Sequence, residues 1–172
     1  KILILDLDVH QGDGTASICE NIDNIFTCSI HCKNNFPFDK KNSNLDVPID
    51  DEVNDVKYIN ILTKTLDQIE SNFTPDIVFY DAGVDVHSND DLGNLNLTDD
   101  GIKKRDEIVC EYFKEKKIPL CTVIGGGYSK NRQELASRHF SIFETVSKTY
   151  LWIFLINSLN QPKNYSYSQY NL

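Results

Sequence analysis

Residues 1–5 (KILIL) form an apolar run with no alternation, and Asp6, Asp8 and His10 follow at once. A short continuous apolar run reads as a strand buried on both faces, the setting found inside parallel sheets. Parallel neighbours cannot be joined by a tight hairpin, because the chain must return through a crossover. This one run therefore commits the chain to alternating strands and helices. Domains seldom begin on their central strand, so sequence belonging upstream is expected to be absent from these 172 residues.

The remaining sequence supplies the alternation. Residues 25–30 (IFTCSI), 76–80 (DIVFY, after Pro75) and 119–124 (PLCTVI) read as further strands, the last running into Gly125, Gly126 and Gly127. Val56, Ile59, Leu62, Leu66 and Ile69 recur at three- and four-residue steps, which predicts an amphipathic helix. Thr98 reads as the N-cap of a second helix, with Asp99 and Asp100 in its first turn and Ile102, Val109, Tyr112 and Phe113 facing inward. A third helix is predicted from about residue 131 to 159, with Leu135, Ile142, Val146, Ile153 and Ile156 on one face. Residues 33–51, rich in Asn, Asp, Lys and Pro, read as a loop. Residues 160–172 read as a polar tail expected to fray. The predicted fold class is α/β: a three-layer, mostly parallel sheet with helices on both faces, forming one partial domain over residues 1–159.

Composition narrows the partners. With 40% hydrophobic and 25% charged residues the chain is an ordinary globular one. A formal charge of −9 argues against nucleic acid and, if anything, favours a cationic substrate. Cys19, Cys28, Cys32, Cys110 and Cys121 are odd in number and contain no CxxC pair, so buried reduced thiols are expected. A reducing compartment follows, cytoplasmic or, in a eukaryote, nuclear. No signal peptide or bilayer-length apolar run is present, and no membrane partner is expected.

Ligands of open α/β sheets gather beyond the carboxyl ends of the strands. There the sequence places Asp6 to His10, then Ser29 to His31, then Asp81 to Asp85, then Gly125 to Tyr128. Asp6, Asp8 and His10 alternate at period two and project to one side of an extended chain. Three aligned ionisable groups are costly to bury unless they bind something. Asp8 and His10 offer oxygen and nitrogen to zinc or another first-row metal, and Asp85 could close a three-ligand site with one position open, the layout of a catalytic zinc. The plain alternative is that Asp8 and His10 cap the QGDGT turn. That explains Asp13, which is expected to cap, better than it explains the aligned trio.

ILDLDVHQGDGTA, AGVDVHSNDDLGNLNLT and GGGY, in that order, resemble the histone deacetylase superfamily of the arginase/deacetylase fold. The bacterial-type and single-member class IV deacetylases are nearest in flavour. The blocks cover residues 1 to about 147, the C-terminal part of such a domain. The resemblance implies zinc ligands at Asp8, His10 and Asp85, and a catalytic Tyr128 that stabilises the oxyanion. It implies that Asp6 and Asp13 orient two active-site histidines. It also implies a potassium-type site from backbone oxygens of Asp6, Asp8, His10 and Ile30 with the Ser29 hydroxyl. Phe36, Gly126 and Gly127 would line a channel for the lysine stem, although simple loop packing explains Phe36 equally well. Gly12 stands where arginases need a second-metal carboxylate, so one metal is expected.

The resemblance further implies a pair of adjacent histidines upstream. None of His10, His31, His87 and His139 is adjacent to another. His31 reads as a second-layer or simply buried histidine, His87 as a rim residue, and His139 as structural or solvated. The expected function is zinc-dependent removal of acetyl groups from lysine side chains of proteins or peptides, weak or absent without that pair. A non-catalytic interaction module and a deacetylase of small acylated amines such as polyamines are the alternatives.

Overall fold

The computed structural model describes residues 1–151. Five strands form one sheet: β1 (Ile2–Asp6), β2 (Ile25–Cys32), β3 (Leu45–Ile49), β4 (Ile77–Asp81) and β5 (Leu120–Val123). Their order is β3-β2-β1-β4-β5, and every pairing is parallel. The opening apolar run is thus the central strand, as its composition demands. Helices α1 (Asp13–Cys19), α2 (Asp55–Asn72), α3 (Asp99–Glu115) and α4 (Arg132–Val146) connect and follow the strands, with a π-helical turn at Ser147–Leu151.

Right-handed crossovers assign the helices to faces. The step from β1 to β2 runs one way along the sheet, while those from β3 to β4 and β4 to β5 run the other. Hence α1 lies on one face and α2 and α3 on the opposite one, giving three layers. Leu3, Leu5, Val78 and Tyr80 point toward α2 and α3 and are fully buried. They meet Tyr58, Leu62, Leu66, Val109 and Phe113 from the helices. Among the described residues, the seven-residue α1 is the helix on the face of alternate phase, and Phe79 and Val123 remain 38% and 43% exposed. Cys121 shares that phase and is exposed, whereas the other four thiols are buried as expected.

Local signals explain most boundaries. Asn54 caps α2 by accepting from the Lys57 amide, and Thr98 caps α3 by accepting from Gly101. Two elements depart from the sequence reading. Strand β3 lies inside the segment expected to be loop, because an edge strand tolerates Pro48 where an inner one would not. Helix α1 replaces a simple turn, held by the buried Ala16 and Cys19. Its N-cap position is Gly12, without a side-chain cap bond, so Asp13 is the first helical residue rather than the cap. Predicted positions 152–159 of the last helix, with Ile153 and Ile156, and the 160–172 tail lie outside the described residues. Among the described residues no helix is long and apolar enough to cross a membrane.

Candidate metal centre

The two central strands end level with each other. Asp6 pairs in register with Asp81, and the Leu7 amide donates to the Asp81 carbonyl at 3.2 Å. The segments leaving β1 and β4 therefore run side by side over the sheet's carboxyl rim. Backbone amides of the first segment then hold one carboxylate of the second and one of their own. The Val9 amide donates to Asp85 Oδ1 at 2.8 Å, and the His10 amide to Asp8 Oδ1 at 2.9 Å. The third glycine-bearing segment closes the ring, with the Gly126 amide donating to Asp8 Oδ2 at 2.7 Å. The outcome is convergence: ligand atoms of Asp8, His10 and Asp85 all lie within 4.8 Å of one another. His10 Nδ1 is 3.0 Å from Asp8 Oδ1 and 3.1 Å from Asp85 Oδ2.

Charge on this rim is unbalanced. Asp85 is fully buried, and burial, with Asp8 beside it, pushes its carboxyl up to about 7. Burial and then Asp8 raise Asp81 to about 6. Burial, Asp81 and Asp8 lift Asp6 well above the carboxylate range. Burial also opposes ionisation of Asp8, but hydrogen bonds with His10 and Asp85 prevail and hold it low. His10, hydrogen-bonded to Asp8 and Asp85, is pushed up to about 10. Several half-buried carboxylates around one imidazole are a costly arrangement unless a cation sits among them. The donor set, two carboxylate oxygens and one imidazole nitrogen converging from one side, suits a divalent first-row ion. Gly126 fits the same purpose, since a Cβ there would stand 2.1 Å from Asp85 Oδ2 and 2.5 Å from Asp8 Oδ2.

Tyr128 joins this cluster. Its ring lies edge-on to His10 with centroids 6.1 Å apart, and the residue is 43% exposed. Burial first, then Asp8, Asp85 and Asp90, raises its phenol. Asp90, to which the sequence reading gave no role, fixes the turn: its Oδ2 accepts from the Tyr128 amide at 2.7 Å, while Oδ1 accepts from Leu92 and Gly93. An Asp in a DDLG stretch is a turn signal that could have flagged it.

The other expected site residues are placed as follows. Asp6 sits at the rim, accepting from the Asp8 amide at 3.0 Å, with Gly12 packed against its carboxylate. Asp13 opens α1. Ser29 is the register partner of Asp6 and is buried with Ile30, and its hydroxyl lies 3.0 Å from His31 Nδ1. Phe36 is exposed in its loop and stacks edge-on with Phe38. Gly127 backs onto Leu135 and the His139 imidazole. His87, expected on the rim, is instead buried: Nε2 lies 3.3 Å from Asp99 and Nδ1 accepts from the Asn89 amide. The chain turns back after Val86 to pair with Leu97, which draws the imidazole inward. Gln11 of the HQGDGT block ties Lys41 of the 33–44 loop to Asp46 on β3.

Comparison with known proteins agrees with this architecture. A profile described as the histone deacetylase domain matches residues 1–143. An uncharacterized protein of Picosynechococcus sp. is 43% identical over 150 residues, covering 87% of this chain and 50% of that protein. Histone deacetylase 2 of Arabidopsis thaliana is 33% identical over 137 residues, covering 76% of this chain and 35% of that protein. The crystal structure of an HDAC homolog from Aquifex aeolicus matches with a TM-score of 0.71 and 26% identity, over 86% of this chain and 42% of that one. The chain thus spans half or less of the length of these relatives. The matched profile, the parallel α/β sheet and the strand-end cluster together make this chain a member of the histone deacetylase family.

Proposed function

We propose that this chain forms part of a metal-dependent amide hydrolase that deacetylates acyl-lysine in proteins or peptides, or a similar acylated amine. The observation carrying this reading is the convergence of Asp8, His10 and Asp85 in a member of the histone deacetylase family. Those three side chains would hold one zinc ion. Once bound, zinc supplies Lewis-acid polarisation of a carbonyl and a lowered pKa for bound water. Choosing zinc over iron or cobalt rests on the family.

The chain's own residues then divide the work. Tyr128, beside His10 and with its phenol raised, keeps its proton and can donate it in a hydrogen bond to the substrate carbonyl oxygen as charge develops there. Gly126 and Gly127 leave room for the acyl group, and the exposed Phe36 offers an apolar wall to an aliphatic stem. The acidic rim suits an amine-bearing substrate. The raised carboxyl of Asp6 is available to orient an imidazole, and we assign the same task to Asp13. The oxygens of Asp6, Asp8, His10, Ser29 and Ile30 are the proposed potassium ligands. Residues 1–159 are proposed to form one partial domain.

A general base is the missing part. His31 is spent on Ser29, His87 on Asp99 and Asn89, and His139 lies beneath Gly127. We assign that role to a segment ending in adjacent histidines, supplied by other sequence. Hydrolysis of an acetyl-lysine peptide by the zinc-loaded chain, with and without such a segment, tests the reading. Rates that rise with the segment and vanish on Asp85→Ala support it. Zinc affinity unaffected by Asp85→Ala overturns the ligand assignment, and no activity with the segment present favours a non-catalytic interaction module.

A further inference from the structure

We propose that Arg105 is a positioning residue for the metal centre, clamping the two chain segments that carry Asp8, His10 and Asp85. The proposal rests on the metal reading above. Arg105 lies on α3 and is fully buried, and its hydrogen bonds and ion pair go to Asp106, Leu7 and Gly83, not to the three ligands. One nitrogen, Nη1, donates to the Leu7 carbonyl at 3.2 Å and to the Gly83 carbonyl at 2.7 Å. Leu7 immediately precedes Asp8, and Gly83 stands two residues before Asp85. A single planar group thus spans both strand ends, using its two N–H bonds on two different segments.

Around it stands a frame that sets the guanidinium's direction. Nε donates to Asp106 Oδ1 at 2.9 Å, and the Tyr80 hydroxyl donates to the same oxygen at 2.5 Å. The guanidinium carbon lies over the Tyr80 ring, 5.9 Å from its centroid, and the Tyr58 hydroxyl approaches the Leu7 carbonyl at 3.5 Å. Nη2 lies 2.9 Å from Asp106 Oδ1 but is poorly aimed, and has no hydrogen-bond acceptor. The side chain is therefore oriented for the two carbonyls at the expense of its own satisfaction. Burying a guanidinium is a poor route to stability, since well-packed apolar groups often do as well or better. Two donors fixed in one plane are what an apolar residue cannot supply, and lysine's single flexible ammonium cannot reproduce them.

The test compares the unsubstituted protein with Arg105→Lys, Arg105→Met and Tyr112→Phe. Tyr112 lies on the same helix but outside this frame, and its hydroxyl donates to the Leu66 carbonyl at 3.2 Å and to Glu70 at 3.0 Å. Measured are zinc affinity, the visible spectrum of the cobalt-loaded protein, and melting without metal. Both Arg105 variants are expected to weaken zinc binding by about 10–100-fold and to alter the cobalt bands, the range seen when groups behind metal ligands are removed. Tyr112→Phe should lower the melting temperature while keeping zinc affinity and the cobalt spectrum. Should Arg105→Met not fold, Arg105→Lys decides. A folded Arg105→Lys that binds zinc like the unsubstituted protein overturns the proposal, as does an equal zinc loss in Tyr112→Phe. Failure of the unsubstituted protein to bind zinc overturns the metal reading itself, and this inference with it.

Discussion

Gly126 and Asp8, 118 residues apart, are joined by a 2.7 Å hydrogen bond from the glycine amide to the aspartate Oδ2. This bond makes the triple-glycine turn a wall of the proposed metal centre, and no side chain fits between them. Gly126→Ala should therefore damage the centre without touching a ligand. We expect zinc affinity to fall by about tenfold or more, with a lower melting temperature, by calorimetry and thermal melts. Retention of wild-type affinity would show that the wall is not needed.

Asp85→Asn separates charge from shape. The amide oxygen can still accept from Val9, while the buried negative charge beside Asp8 disappears. Without metal the variant should be more stable by roughly 1 kcal/mol, because a like-charge clash is relieved. Zinc affinity should fall by about 100-fold, since one anionic ligand is gone. Melts with and without zinc read both effects, which must have opposite signs.

The rim carboxylates fix the pH response. Asp81 and Asp85 are raised to about 6 and about 7, so the folded state holds their protons more tightly than the unfolded chain does. Their contribution to stability is present below the unfolded value of 3.8 and is lost as pH rises through 6 and 7. His10, raised to about 10, adds stability below 6.5 that fades only toward that higher value. The lowered carboxyl of Asp8 works the other way, but only at pH below 3.8. The metal-free protein should thus melt at lower temperature at pH 7.5 than at 4.5, with Asp81 contributing at most about 3 kcal/mol. Zinc competes with protons for the same ligands, so its stabilisation should grow over that interval. A metal-free melting temperature that climbs with pH contradicts this account.

Tyr128→Phe removes only the hydroxyl of a ring that stands edge-on to His10. In the protein supplied with its histidine segment, we expect kcat to fall by about 10²–10³-fold, the usual cost of losing one oxyanion donor. Zinc affinity should not change. If both quantities fall together, the tyrosine shapes the metal centre instead of the reacting group.

Legibility followed periodicity and turn chemistry. Parallel strands and capped helices were visible because Leu3 and Leu5, the 56–69 stripe and Thr98 obey local rules. The candidate cluster of Asp8, His10 and Asp85 was legible because Asp8 and His10 sit at a strand end and the motif order resembles a known family. Strand β3 was hidden, since Pro48 and the polar flanks argue against a strand unless its edge position is known. His87 was misplaced because its burial depends on the long-range pairing of Val86 with Leu97. Arg105 and Asp106 were missed, yet they interrupt the apolar stripe of α3 between Ile102 and Val109. A charged pair inside such a stripe marks a buried polar task.

The uneven dressing of the sheet governs how this polypeptide can be handled. Inner strand β4 and edge strand β5 show Phe79 and Val123 to water, and among the described residues β5 has one unpaired side. Two copies can therefore stack through these residues or add strand to strand, so crowding should drive clumping during purification. Charged replacements at Phe79 and Val123 are the natural remedy for crystallisers, because both lie on the sheet face away from Arg105 and its carbonyl clamp.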